Sequence, residues 1–216
     1  MSLTLAAGLG GIAFVLVGIA LNVVYVRIGV PLPTSGKDLE AVTDAYAALG
    51  AGLRRSSAVA PVLWVCTTVF AAGLLSVLWR GGSGQGGWAL VGFAGVLLQN
   101  ATFTCVEALR FAMATAARHG RGAVAGLWGL SNVLFTFNQV FLALAVLGFT
   151  VAGVGGGVVP GWHAWLGYVA AGLLFVSSLA GSHNAEGANR LGLVGLIGWL
   201  GWATWIVAYS ITLLRI

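Results

Sequence analysis

The chain reads as an all-α, polytopic membrane protein: a bundle of about six transmembrane helices with a short amphipathic helix in the first loop. Three observations predict this class. Only 7% of the residues are charged while 59% are hydrophobic, and the mean hydropathy is +0.99; a soluble domain of this length needs far more polar surface. The 34 glycines and nine tryptophans fit helices that pack closely in lipid, with indoles at the interfaces. The apolar residues also fall into runs of the roughly 20 residues that a helix needs to cross a bilayer.

Six such runs cover 3–26, 57–79, 87–114, 123–149, 163–182 and 191–214, and residues 1–216 read as a single membrane domain. The opening "MSLTLAAGLGGIAF" has no basic n-region and reads as a retained first span. The third and fourth runs are long enough to imply tilt. The largest loop, 27–56, opens "RIGVPLPTSGKD". Pro31 and Pro33 favour extended backbone there, and Ser35 followed by Asp38 resembles a capping box. Leu39, Val42, Tyr46, Leu49 and Leu53 then recur every three or four residues, which predicts an amphipathic helix over 38–53. That helix is either a connector packed on the bundle end or a lid over an entrance. The glycine-rich "VAGVGGGVVPG" at 151–161 reads as an exposed loop or as a site of irregular backbone.

Charge sets the orientation. The first, third and fifth loops share one face and hold Arg27, Lys37, Arg54, Arg55, Arg118, Arg121 and Arg190, whereas the opposite face holds Arg80 and Arg215. The positive-inside rule makes the 27–56 loop cytoplasmic and puts both termini outside the cell membrane. Basic residues scattered in this way are a topology signal and do not point to nucleic acid. Cys66 and Cys105 lie in different apolar runs at different depths, which argues against a disulfide, and no CxxC is present. His119, His163 and His183 fall at span ends without the pairing of metal or haem ligands, so no metal or other cofactor is expected. "SHNAEGANR" at 182–190 reads as a solvated loop. No transmembrane histidine answers Ser83 of "GGSG", which separates it from the serine site of rhomboid proteases.

The polar residues inside the spans carry the functional question. Asn100, Thr104 and Glu107 share one face of the third span, with Gln99 beside them and Arg110 one turn beyond Glu107. The fourth span has Asn132, Thr136 and Gln139 at the same spacing, with Ser131 and Asn138 adjacent. Folding the two spans about "ARHGRG" brings Glu107 level with Ser131 and Asn132, and Gln99 and Asn100 level with Thr136, Asn138 and Gln139. Such groups cannot face lipid, since a central charge costs roughly 2.5–3.5 kcal/mol on insertion scales. Asn22, Tyr25, Thr67 and Thr68 either join this group or bond backbone carbonyls.

In the last span Gly195, Gly198 and Gly201 each precede a tryptophan by four residues (Trp199, Trp202, Trp205). This is a packing surface, and it also offers a face to a homo-oligomer or partner subunit. The stretches "PGWHAWLGYVAAGLLF" and "GLIGWLGWATWIVAYSITLLR" resemble the ends of uncharacterised bacterial multi-spanning proteins grouped as domains of unknown function; the resemblance implies a bundle of about six helices and nothing about activity.

Two readings of the stripes stand. They are interhelical glue, with Glu107 paired to Arg110, or they line a pocket between the third and fourth spans. The pocket reading gives a protein that binds or transports a small amphiphilic or apolar molecule. The alternatives are an enzyme acting on a lipid or isoprenoid with Glu107 as acid/base, and a structural subunit of a membrane complex.

Overall fold

The computed structural model describes residues 2–33, 38–183 and 191–216, and among them every regular element is helical. The helices are α1 (Leu3–Arg27), α2 (Leu39–Ala48), α3 (Gly50–Ser57), α4 (Ala60–Leu78), α5 (Ser83–His119), α6 (Val124–Gly155), α7 (Gly161–Ser178) and α8 (Leu191–Leu214). Five stretches are long and apolar enough to cross a membrane: Leu3–Arg27, Gly50–Leu78, Gly84–His119, Arg121–Gly155 and Gly192–Leu214. The 18 residues of α7 are the shortest of the six long helices, and Trp162, His163, Trp165 and Tyr168 make its first half less apolar. Its place between α6 and α8 makes it the sixth member of the bundle.

These six helices form a closed ring in the order α1, α4, α5, α6, α7, α8 and back to α1. Small residues decide how close the neighbours come. A Cβ at Gly148 of α6 would meet Trp88 O at 2.7 Å and Gly92 Cα at 2.8 Å, and one at Gly95 would meet Ala145 N at 2.6 Å, so α5 and α6 touch through their backbones. The ring closes where Gly8 sits against Leu214 and where Phe14 meets Trp202 edge-on at 5.2 Å. Its centre is filled by side chains. Trp205, 1% exposed, lies 6.4 Å from Phe70 and 4.9 Å from Tyr209, and donates through Nε1 to Thr150 Oγ1 at 3.0 Å. Tyr209 donates to Phe149 O at 2.9 Å.

The tryptophan-rich pattern of α8 is consumed here. Trp202 and Trp205 are buried, Gly198 packs on Leu174 and Gly201 on Ala170. Most of the face that the sequence offered to a second copy thus packs within the chain, with Trp199 half-buried.

One end of the ring carries a cap. Asp38 is itself the N-cap of α2, accepting from Ala41 N at 2.7 Å; Ser35, the expected capping residue, lies outside the described residues. The expected single helix over 38–53 is two helices, because Gly50 adopts a left-handed φ of +48° that an L side chain resists. Val42, Tyr46, Leu49 and Leu53 are buried against Met113, Ala114, Ala117, Val124 and Trp128, while Leu39 is exposed. The extra length of α5 and α6 thus supports the connector, and α2 and α3 roof the ring's end. An exposed Asp44–Arg121 ion pair of 2.6 Å spans the same contact and contributes at most about 1 kcal/mol.

At the other end, the glycine-rich segment is a tight helix stop. Gly157 takes a left-handed φ of +66°, Val158 N donates to Gly153 O at 2.9 Å, and Pro160 starts α7. No re-entrant piece exists among the described residues there.

Candidate functional site

The structure divides the polar residues of α5 and α6 into three groups. Successive residues on a helix point about 100° apart, so Gln99 and Asn100 cannot face the same neighbour. The α6-facing side of α5 is set by Gly92 against Phe149, Gly95 against Ala145, and Phe103 at 6.0 Å from Phe135. This register puts Glu107 level with Ser131 and Gln99 level with Gln139. The depth match expected from the sequence therefore holds, but the facing does not. Asn100 and Glu107, seven residues apart, share a face turned towards α4 and α1, because in a ring α5 has two neighbours.

The first group is the Asn100 amide. Its Oδ1 accepts from Thr67 Oγ1 at 3.0 Å, and its Nδ2 donates to Thr68 Oγ1 at 3.0 Å and to Trp64 O at 3.2 Å. Every part of the amide is engaged, so it locks α5 to α4. Thr104 is exposed and returns its hydroxyl to Asn100 O at 2.8 Å. Asn22 is likewise exposed and donates to Gly18 O at 2.9 Å.

The second group is a closed charged knot beneath the cap. Glu107 Oε2 accepts from Arg110 at 2.5 Å and Oε1 accepts from Tyr25 Oη at 2.7 Å. Tyr25 Oη also lies 3.2 Å from Ser57 Oγ, and the Arg110 guanidinium sits 4.4 Å above the Tyr25 ring. Both carboxylate oxygens are thus occupied, and three helices, α1, α3 and α5, contribute. Tyr46 of α2 roofs the knot; burial pushes its phenol up to about 12, against the opposing pull of the nearby Arg110 charge. Ser57 was not among the residues singled out from the sequence. Its signal was position: the start of the second span must sit level with the end of the first.

The third group lies at one level of α5 and α6, and of its members Gln139 approaches Gly195 of α8. Gln99 is 5% exposed and Asn138 1%, and Gln99 Oε1, Asn138 Oδ1 and Gln139 Oε1 are all buried without a hydrogen-bond donor. The Gln139 amide and Ser177 Oγ converge on Gly195, where a Cβ would meet them at 2.6 Å and 2.5 Å. Ser131, Asn132 and Thr136 are buried farther along α6, and Thr136 donates to Asn132 O at 2.9 Å. A groove of about 490 Å³ runs between α6 and α7, lined by Phe137, Val140, Phe141, Phe175, Ser178 and Leu179; these residues flank Asn138, Gln139 and Ser177 in the chain, but none of the three amides lines it.

His163, expected merely at a span end, is 1% exposed and packed among Trp162, Trp205 and Tyr209, where its Nε2–H donates to Trp205 O at 3.1 Å. Cys66 and Cys105 are free thiols. Among the described residues no three of His, Cys, Asp or Glu converge; most of the 182–190 segment lies outside the described residues. No protein-family model matches the chain, and no curated protein or solved structure matches it significantly.

Proposed function

We propose that this integral membrane protein binds a small amphiphilic molecule, whose polar end donates hydrogen bonds to the Gln99, Asn138 and Gln139 amides while its apolar body lies along the α6–α7 groove. The observation that carries this reading is the set of three buried amide oxygens without donors, two of them on the stretch of α6 that also supplies Phe137, Val140 and Phe141 to an aromatic groove. An unpaired buried acceptor costs about 1–3 kcal/mol, and sites that retain such a cost against stability are characteristically functional. The groups at Asn100 and Glu107 serve the other role weighed for the stripe, as interhelical locks. A Glu107 acid/base has no free oxygen to offer a substrate.

The test compares wild type with Asn138→Leu and Gln139→Leu by native mass spectrometry and organic extraction. A co-purifying molecule is expected on wild type, with occupancy about tenfold lower in either variant, as loss of one hydrogen bond implies. With the molecule extracted, both variants should melt no lower than wild type, because leucine removes an unpaired oxygen. Glu107→Gln should keep the molecule despite being less stable. Lower melting of the leucine variants without any co-purifying molecule would make this group glue as well.

For orientation we infer that the capped end is cytoplasmic and both termini are outside. Arg27, Arg54, Arg55, Arg118 and Arg121 belong to helix ends and turns at the capped end, and Arg80 and Arg215 to the opposite end; Lys37 and Arg190 lie outside the described residues. In a background lacking Cys66 and Cys105, an impermeant thiol reagent on intact cells should label Gly84→Cys and spare Arg121→Cys. The reverse pattern would invert the topology.

A further inference from the structure

A second groove, of about 460 Å³, runs between the start of α7 and the end of α8. We propose that it seats an anionic glycerophospholipid, with the phosphate on Arg215 and one acyl chain along the groove. The dimensions fit one leaflet. The α8 wall extends from Thr204 to Arg215, eleven residue steps or about 16 Å, which is half of the roughly 30 Å hydrocarbon core.

Polarity is graded along that length. Val207, Ala208 and Ile211 give the walls an apolar lining. The Thr204 and Thr212 hydroxyls are turned back to Leu200 O and Ala208 O, at 2.9 Å and 3.2 Å, so they do not interrupt it. At the mouth, Arg215 is exposed and forms no ion pair among the described residues. A guanidinium fork there matches a phosphate better than any neutral partner. Trp162, 63% exposed, lines the same groove, and an amphipathic indole belongs at headgroup depth. No carboxylate lines the groove to compete for the arginine.

The purified full chain in detergent is titrated with dioleoylphosphatidylglycerol or dioleoylphosphatidylcholine and read by native mass spectrometry. Wild type should bind the anionic lipid about fivefold more tightly, the increment of one interfacial arginine. Arg215→Gln should erase that preference. Arg80→Gln, a cation at the same end but outside the groove, should keep it, and so should Gln139→Leu, which alters only the amide group. Equal binding of the two lipids by wild type would overturn the proposal, as would loss of the preference in Arg80→Gln as fully as in Arg215→Gln.

Discussion

Arg110→Leu is expected to destabilise the protein by about 3–5 kcal/mol, because it strands a buried carboxylate whose other partner is a single phenol. The side chains of Arg110 and Glu107 are only 11% and 9% exposed, and the pair is bridged at 2.5 Å. The guanidinium also covers the Tyr25 ring, so its loss opens the contact between α1 and α5. The double variant Glu107→Gln, Arg110→Met should recover most of the loss. Its neutral amide can still accept from Tyr25, and methionine restores much of the packing. Denaturation in mixed detergent micelles gives the comparison. If the double variant were as unstable as Arg110→Leu, the cost would lie in shape alone and the buried charge would be unimportant.

Trp205→Ala should be comparably damaging, at about 3–5 kcal/mol for truncating a buried indole. Trp205 joins α4, α6, α7 and α8: its ring meets Phe70, His163 and Tyr209, its N–H reaches Thr150, and its carbonyl holds His163. Trp205→Phe should cost less, since a ring remains and only the donor to Thr150 is lost. Trp165, 71% exposed on α7, supplies the control. A Trp165→Ala variant melting as low as Trp205→Ala would show that tryptophan loss is harmful wherever it occurs, and would remove Trp205 from the centre of the ring.

Much of this architecture was legible in the sequence because lipid imposes simple rules. Hydropathy marked the spans, and the spacing of Val42, Tyr46, Leu49 and Leu53 marked the cap. The grouping of Asn100 with Glu107 on one face also followed from helical period alone. What periodicity does not contain is the identity of the neighbour that a face meets. Chain order assigns Asn100 and Glu107 to α6 and leaves Tyr25, Thr67 and Thr68 either to join them or to bond backbone carbonyls; Asn100 bonds Thr67 and Thr68 and Glu107 bonds Tyr25, on helices that precede α5. Gln99, one residue away, keeps the α6 side. Loop length predicts which helices are adjacent in sequence order, but ring closure between α1 and α8 is a long-range fact that no local pattern announces. Gly50 shows the same limit at smaller scale: the apolar stripe continues through it, while its backbone conformation ends one helix and begins another.

The pairing of α1 with α8 has a consequence for how the molecule is made. Synthesis runs from the N-terminus, so α1 enters the membrane before the other described helices, and its counterpart at Ser210 and Leu214 is on the last of them to arrive. Between the two events the notch at Gly8 and Gly11 has no native occupant on that side. In water such a wait would expose a sticky surface, but lipid tails solvate an apolar helix as well as leucine does, so the wait carries little hydrophobic penalty. The ring can remain an open arc through most of its biogenesis and close only at the end, when shape complementarity supplies what hydrophobicity cannot.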